Sequence, residues 1–397
     1  MIPGLIKALL PNALLRDPWT LQKRVALLVN EAGVIDDICC AENLPAGVPV
    51  ERFDDEVWVA APILAHAHLE SFDAPSATWR RNGFTPWVED LLTWRMQAKR
   101  LTSAESARFS LQELEQHGCG LVLSHVAERG AEGHARRGLP EVLPCTEVFA
   151  PDADSFSPDL LEKAKQNGGI ALHAPYSVAP EIARQVFTAM RGHGLVSVHL
   201  GEHEEERAYL VQGTGPMAEL LAKRERPMVG GQWTSPVDWL RDMGGLHDGV
   251  LAVHGGDLST AELQELEAAG VCLVFCPGTH LYFNRTSTAY GEPGVAIPAL
   301  GCDSRASNAV LDPLREVALA YASMPKPGAQ AWWGGLTQNG ARALHRQDLG
   351  SLEVGKLARP LRLLQVPEEV QRTAAGLCEF LCSGIDQKRQ VSSFSAC

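Results

Sequence analysis

The chain has 397 residues, 45% of them apolar and 21% charged, enough to bury a sizeable core and unlike the composition of a disordered polymer. Its 35 basic and 48 acidic side chains leave a formal charge of −13, which argues against nucleic acid or an anionic membrane as partner. No apolar run reaches the length of a spanning helix, and Lys7 and Pro11 break up MIPGLIKALLPNALL, so a cytoplasmic location is expected rather than export.

An extended run, Arg24–Asn30, and the turn-rich Leu44-Pro-Ala-Gly-Val-Pro open the chain. Eight short apolar runs follow: Val57–His66, Gly120–His125, Val142–Phe149, Gly169–His173, Leu195–His199, Val250–His254, Val271–Phe275 and Val295–Asp303. Between them lie segments with helical periodicity. Ser103–His117 puts Ala104, Ala107, Leu111 and Leu114 on one face; Pro180–Arg191, Ser259–Ala269 and Asp312–Ser323 follow the same rule. Strands apolar on both faces and alternating with helices mark a parallel sheet, and eight in succession fit a closed (β/α)8 TIM barrel. After Gly350 the sequence turns β-prone again at Leu361–Val366. The expected organisation is a barrel over residues 57–349, with 1–56 and 350–397 joining in a small composite β-sandwich.

Ten cysteines at irregular spacings include no CxxC pair, so they are expected to be reduced and structural. GxGxxG, GxxxxGK[ST] and GxSxG patterns are absent. The chemistry lies instead at the strand ends. His66 and His68 stand two apart on the first strand and so share a side; His173, His199 and His254 end the fourth, fifth and sixth; Asp303 ends the eighth. The carboxyl ends of barrel strands converge on the face that carries active sites. Imidazoles with one carboxylate suit a divalent ion, zinc by default and iron, manganese or cobalt as alternatives, which acidifies a bound water towards a pKa of about 7. Glu202, three residues past His199, is placed to handle the proton. Each has a plainer alternative: a core histidine, an Asx-turn aspartate, an acidic first helical turn. His117, His125, His134, His193, His203, His247, His280 and His345 are set aside on that ground. Trp87, Trp94, Trp233 and Trp239 could stack on a ring or simply fill the core.

His66-Ala-His, His173-Ala-Pro-Tyr-Ser, His199-Leu-Gly-Glu, Val253-His-Gly, Phe275-Cys-Pro-Gly-Thr-His and Gly301-Cys-Asp-Ser resemble, in order, the motifs of the amidohydrolase superfamily. The branch is that of chlorohydrolases and adenosine-type deaminases. His68-Leu-Glu-Ser-Phe, Gly213-Thr-Gly-Pro and Ser304-Arg-Ala-Ser-Asn look most like aminodeoxyfutalosine deaminases. The resemblance implies one metal held by His66, His68, His199 and Asp303, and metal-bound hydroxide attacking an amidine carbon. It also implies Glu202 as proton shuttle, His254 on the attacking oxygen, Asp303 as proton acceptor, and His173, Glu70 and Ser304 as substrate-binding residues. The partners expected are a heterocyclic small molecule and water, with a homodimer left open. Hydrolysis of another C–N or C–Cl bond on a triazine, guanine or pterin-like ring is the alternative, and a catalytically idle metal-binding barrel the second. Three motifs depart from the family pattern: Cys276-Pro-Gly-Thr-His stands for Cys-Pro-Arg-Ser-Asn, Cys302-Asp-Ser for Thr-Asp-Ser, and Gly355-Lys-Leu-Ala-Arg for Gly-Lys-x-Ala-Asp.

Overall fold

The computed structural model describes residues 5–127, 140–152, 156–384 and 391–392. Eight parallel strands form one sheet in sequence order: β6 (Ile63–Ala67), β7 (Leu121–Val126), β8 (Glu141–Val148), β9 (Gly169–Leu172), β10 (Leu195–Leu200), β11 (Val250–His254), β12 (Cys272–Phe275) and β13 (Ala299–Leu300). The last meets the first through a parallel bridge between Ala67 and Asp303, and the amide of His68 donates to the Asp303 carbonyl at 2.8 Å. The sheet thereby closes on itself as the expected (β/α)8 barrel.

A second sheet takes strands from both ends of the chain. β1 (Leu5–Asp17), β2 (Thr20–Lys23), β3 (Val25–Asn30), β4 (Ile35–Cys40) and β5 (Val50–Ala60) precede the barrel, while β14 (Pro360–Leu364) and β15 (Val391–Ser392) follow it. β14 pairs with β5, so the two ends of the sequence are woven into one sheet. The run Val57–His66, expected as a single strand, is divided: Val57–Ala60 belongs to this terminal sheet and Ile63–Ala67 to the barrel. Pro62 lies at the join, where it cannot donate to a ladder.

The helices follow their caps. The helix Ser103–Gln116 starts from a reciprocal capping box between Thr102 and Glu105, and Thr260–Ala268 from one between Ser259 and Glu262. Pro313–Ser323 is capped by the Asp312 carboxylate, with proline at its first turn. Alternation along the strands separates two apolar layers. Ile63, Leu121, Leu123, Leu251 and Val253 fill the barrel, whereas Leu64, Val122, Val250 and Ala252 pack against the helices. Nine described cysteines are all free thiols. Among the described residues no helix is long and apolar enough to cross a membrane.

Candidate active site

Strand parity decides which side chains reach the barrel axis. His125 continues the inward series Leu121–Leu123, and His199 continues Leu195–Ser197. Asp303 continues the odd-numbered series from Ala299. Two residues arrive by departures from regularity. A register slip between Leu64 and Ala67 lets even-numbered His66 and His68 face inward although Ile63 and Ala65 already do. His254 follows inward-facing Val253 and is brought round by a left-handed backbone, φ 76°. Asp303 is left-handed as well, φ 53°. Such conformations are costly for non-glycine residues and persist where surrounding structure enforces them.

The result is a buried cluster. His68 Nε2 and His199 Nε2 are 3.3 Å apart, and Asp303 Oδ1 lies 3.6 Å from both His66 Nε2 and His68 Nε2. The other carboxylate oxygen of Asp303 is fixed by two hydroxyls, Thr279 at 2.9 Å and Ser307. One oxygen is thus spoken for and the other turned towards the imidazoles. His66 has no exposed surface and neither ring nitrogen has a hydrogen-bond partner. Two orphaned buried nitrogens are expensive in a core and fit a cation site. The donor set of imidazole nitrogens and one carboxylate oxygen suits zinc. Burial first, then the neighbouring rings, hold His66 well below the usual imidazole range, and His199 is lowered to about 4. Neutral imidazole is the state that ligates. For Asp303 burial pushes the pKa up, but His68, His254 and the Ser307 hydroxyl outweigh it and keep the acid below its ordinary range.

Glu202 is the opposite case. Burial, followed by the nearby Asp303 and Glu206 carboxylates, raises it well above an ordinary glutamate. Its Oε1 lies 3.8 Å from His254 Nε2. The loop carrying it is anchored from both sides: Glu206 accepts the amides of Gly201 and Glu202 at 3.0 Å, and Arg285 donates to the Glu202 carbonyl at 2.7 Å.

His68, His199, Glu202, His254 and Asp303 line a cleft of about 380 Å³, along with His173 and Ser304. His173 Nδ1 sits 2.7 Å from the Ser177 hydroxyl, and burial lowers its pKa to about 3. Glu70 is not among the residues lining this cleft. It accepts the Ala127 amide at 3.3 Å beside an adjoining one. Of the four tryptophans, Trp87 lines the cleft, anchored by its Nε1–H on the Ala306 carbonyl, and Trp94 lines the adjoining cleft. Trp233 and Trp239 are buried and line neither of these two clefts.

Two site residues escaped the sequence. His125 is 4.5 Å from His66 between ring centres, with Nε2 2.8 Å from Ser197 Oγ and Nδ1 3.1 Å from Glu147 Oε1. Glu147 also approaches His68 Nδ1 at 3.9 Å. His125 ends the second apolar run just as His199 ends the fifth, so the strand-end rule would have found it if applied evenly. The departure at Cys276-Pro-Gly-Thr-His also acquires a reason. Thr279 steadies Asp303, and a Cβ on Gly278 would come within 2.3 Å of Asn308 Nδ2 and 2.6 Å of Glu316 Oε1.

The sequence profile of the amidohydrolase family matches residues 62–359. This chain belongs to the amidohydrolase family. Relatives of this amidohydrolase include the aminodeoxyfutalosine deaminase of a Nitratiruptor species, 25% identical over 383 residues, covering 90% of this chain and 91% of the relative. The 5-methylthioadenosine/S-adenosylhomocysteine deaminase of Pyrococcus abyssi is 31% identical over 166 residues, a match spanning 40% of this chain but only 34% of that protein. Among solved structures, Helicobacter pylori aminofutalosine deaminase in complex with methylthio-coformycin superposes with a TM-score of 0.77 at 19% identity, covering 97% of each chain. A zinc-bound adenosine deaminase from Xanthomonas campestris gives 0.75 at 21%, covering 95% of this chain and 89% of the other. At these identities the structural likeness speaks for the fold.

Proposed function

We propose that this amidohydrolase is a hydrolytic deaminase of an amino-substituted purine nucleoside-like substrate of the aminodeoxyfutalosine type. The observation that carries the reading is a pairing of opposites in one buried pocket. A glutamate raised well above the ordinary carboxylate range stands near an aspartate held below it, and both adjoin nitrogens suited to a cation. Groups whose environments drive their pKa values apart divide into acid and base. The deaminase relative aligned over nine-tenths of the chain supports the same chemistry.

In this reading His66, His68, His199 and Asp303 would hold one divalent ion, zinc by donor type, at the carboxyl ends of the barrel strands. When bound, the ion supplies a water acidified enough to act as nucleophile at neutral pH. Asp303, with its second oxygen pinned by hydroxyls, would accept the first proton from the attacking water. Glu202 gives its proton to the ring nitrogen next to the reacting carbon, which makes that carbon electrophilic. His254, neutral and close to Glu202, orients the oxygen that adds. The amino group leaves as ammonia with the proton passed on by these carboxylates, so the net change is water in and ammonia out. His173 and Ser304 flank the ring; Glu70 is set back from this cleft and stands with Ala127 on the adjoining one.

The test is ammonia release from metal-analysed protein offered adenosine, 5′-methylthioadenosine, S-adenosylhomocysteine and aminodeoxyfutalosine. Turnover of at least one of these is expected. Activity confined to halogenated rings would replace deamination with chlorohydrolysis.

A further inference from the structure

Four imidazoles converge at the barrel axis: His66, His68, His125 and His199 each offer a ring nitrogen within 4.8 Å of the others. His125 differs from the rest in having both nitrogens engaged. Its Nδ1 lies 3.1 Å from Glu147 Oε1 and its Nε2 2.8 Å from the Ser197 hydroxyl. An ionised carboxylate only accepts, so Nδ1 carries the hydrogen and Nε2 takes the one that Ser197 donates. No lone pair is then left on His125 for a cation. The same Glu147 oxygen stands 3.9 Å from His68 Nδ1, an ion-pair rather than a hydrogen-bond separation, while Nε2 of that ring faces His199 and Asp303. His125, Glu147 and Ser197 sit on β7, β8 and β10, and all three side chains are buried. Among the described residues no lysine or arginine pairs with Glu147. A buried carboxylate flanked by imidazoles alone is costly unless a positive charge stands close by. With Asp303 it makes two such carboxylates beside the ring nitrogens, the charge that a divalent ion balances.

We infer that Ser197, His125 and Glu147 form a positioning chain for His68, in which Glu147 keeps the proton of that imidazole on Nδ1 and so leaves the lone pair of Nε2 for the cation. His125 is then what holds Glu147 in place, and is not a fourth ligand. The group facing one nitrogen of an imidazole decides which tautomer is present, and a carboxylate there also makes the other nitrogen a better donor to a metal. Placing all three residues on strands gives the chain the rigidity that aiming a ligand requires. The inference rests on the ligand set proposed above and assigns roles to two residues outside it.

The experiment measures zinc affinity of the full chain by competition with a chromophoric chelator, melting of the zinc-free protein, and ammonia release from the adenosine-type compounds named above. Glu147→Gln should weaken zinc binding about 10- to 100-fold. Its zinc-free form should nonetheless melt no lower than the zinc-free parent, since an amide oxygen still accepts from His125 and a buried charge has gone. His125→Leu should weaken zinc binding to a similar degree, and His125→Asn, which keeps an N–H near the place of Nδ1, should recover part of the loss. Glu147→Gln/His125→Leu should bind zinc no worse than Glu147→Gln alone, because the two residues act in series. Unchanged zinc affinity in Glu147→Gln, or a zinc-free form of it that melts below the parent, would overturn the chain. Losses that add in the double variant would overturn it too, by making His125 a ligand in its own right. A parent that holds no zinc would overturn the ligand set and the chain together; the expected zinc affinities without ammonia release would uphold the chain and defeat only the deaminase reading.

Discussion

Glu202 and Asp303 show how little separates an acid from a base when both are buried. Asp303 is kept low by imidazoles and the Ser307 hydroxyl against its burial, while Glu202 is driven up by burial first and then by neighbouring carboxylates. Glu202→Gln should lower kcat by about 10²–10⁴ with bound metal unchanged, read from steady-state rates and elemental analysis of the same sample. A rate within twofold of the parent would remove Glu202 from proton transfer. His66→Ala should lose the ion, since His66 has no other partner for its nitrogens; full metal occupancy in that variant would contradict the ligand set. Most of these residues were legible because strand ends in a barrel converge whatever their distance in sequence. Glu147 was not, because it lies within a run whose neighbours are apolar and only the folded register shows it touching His125, which the strand-end rule could have marked. Glu70 shares the adjoining cleft with His68, whereas His68 alone of the two also lines the cleft of Glu202.

Individual elements add irregularities that periodicity cannot announce. The slip in β6, the left-handed turn at His254 and the break at Pro62 are each local, yet the first two aim side chains into the candidate site. Periodicity did locate the helices, because their caps and apolar faces are written in neighbouring residues; Ser259 with Glu262 is one such pair. The helix Pro313–Ser323 contributes Glu316, whose carboxylate accepts the Gly278 amide and the Asn308 side chain, both at 2.7 Å. Gly278→Ala should cost about 1–3 kcal/mol through overpacking, measured by denaturant unfolding; no loss would mean the loop yields freely. Burial raises Glu316 to about 7. A carboxyl raised on folding stabilises the native state most fully below its unfolded pKa. That contribution fades as pH climbs through about 7, by up to about 3 kcal/mol for a group so placed. Between pH 5 and 8.5, therefore, the parent should lose more stability than Glu316→Gln, and parallel pH profiles of the unfolding midpoint would refute it.

For the whole molecule, barrel closure and the candidate cation site meet at one place. Asp303 bridges β6 to the eighth strand through its backbone while its side chain faces the histidines. Removing the metal with a chelator should lower Tm, with a difference of about 4 kcal/mol at free metal a thousandfold above Kd. The same treatment of His66→Ala should leave Tm where it was. The barrel class was legible from eight alternating runs, but the pairing of β14 with β5 was not, since no local pattern links segments some three hundred residues apart.

That pairing has a consequence for synthesis. While the barrel is still emerging from the ribosome, β5 waits with one backbone edge bare, and its proper neighbour has yet to be translated. A nascent polypeptide in that condition invites promiscuous strand addition, so the interval before β14 arrives is when chaperones would matter most.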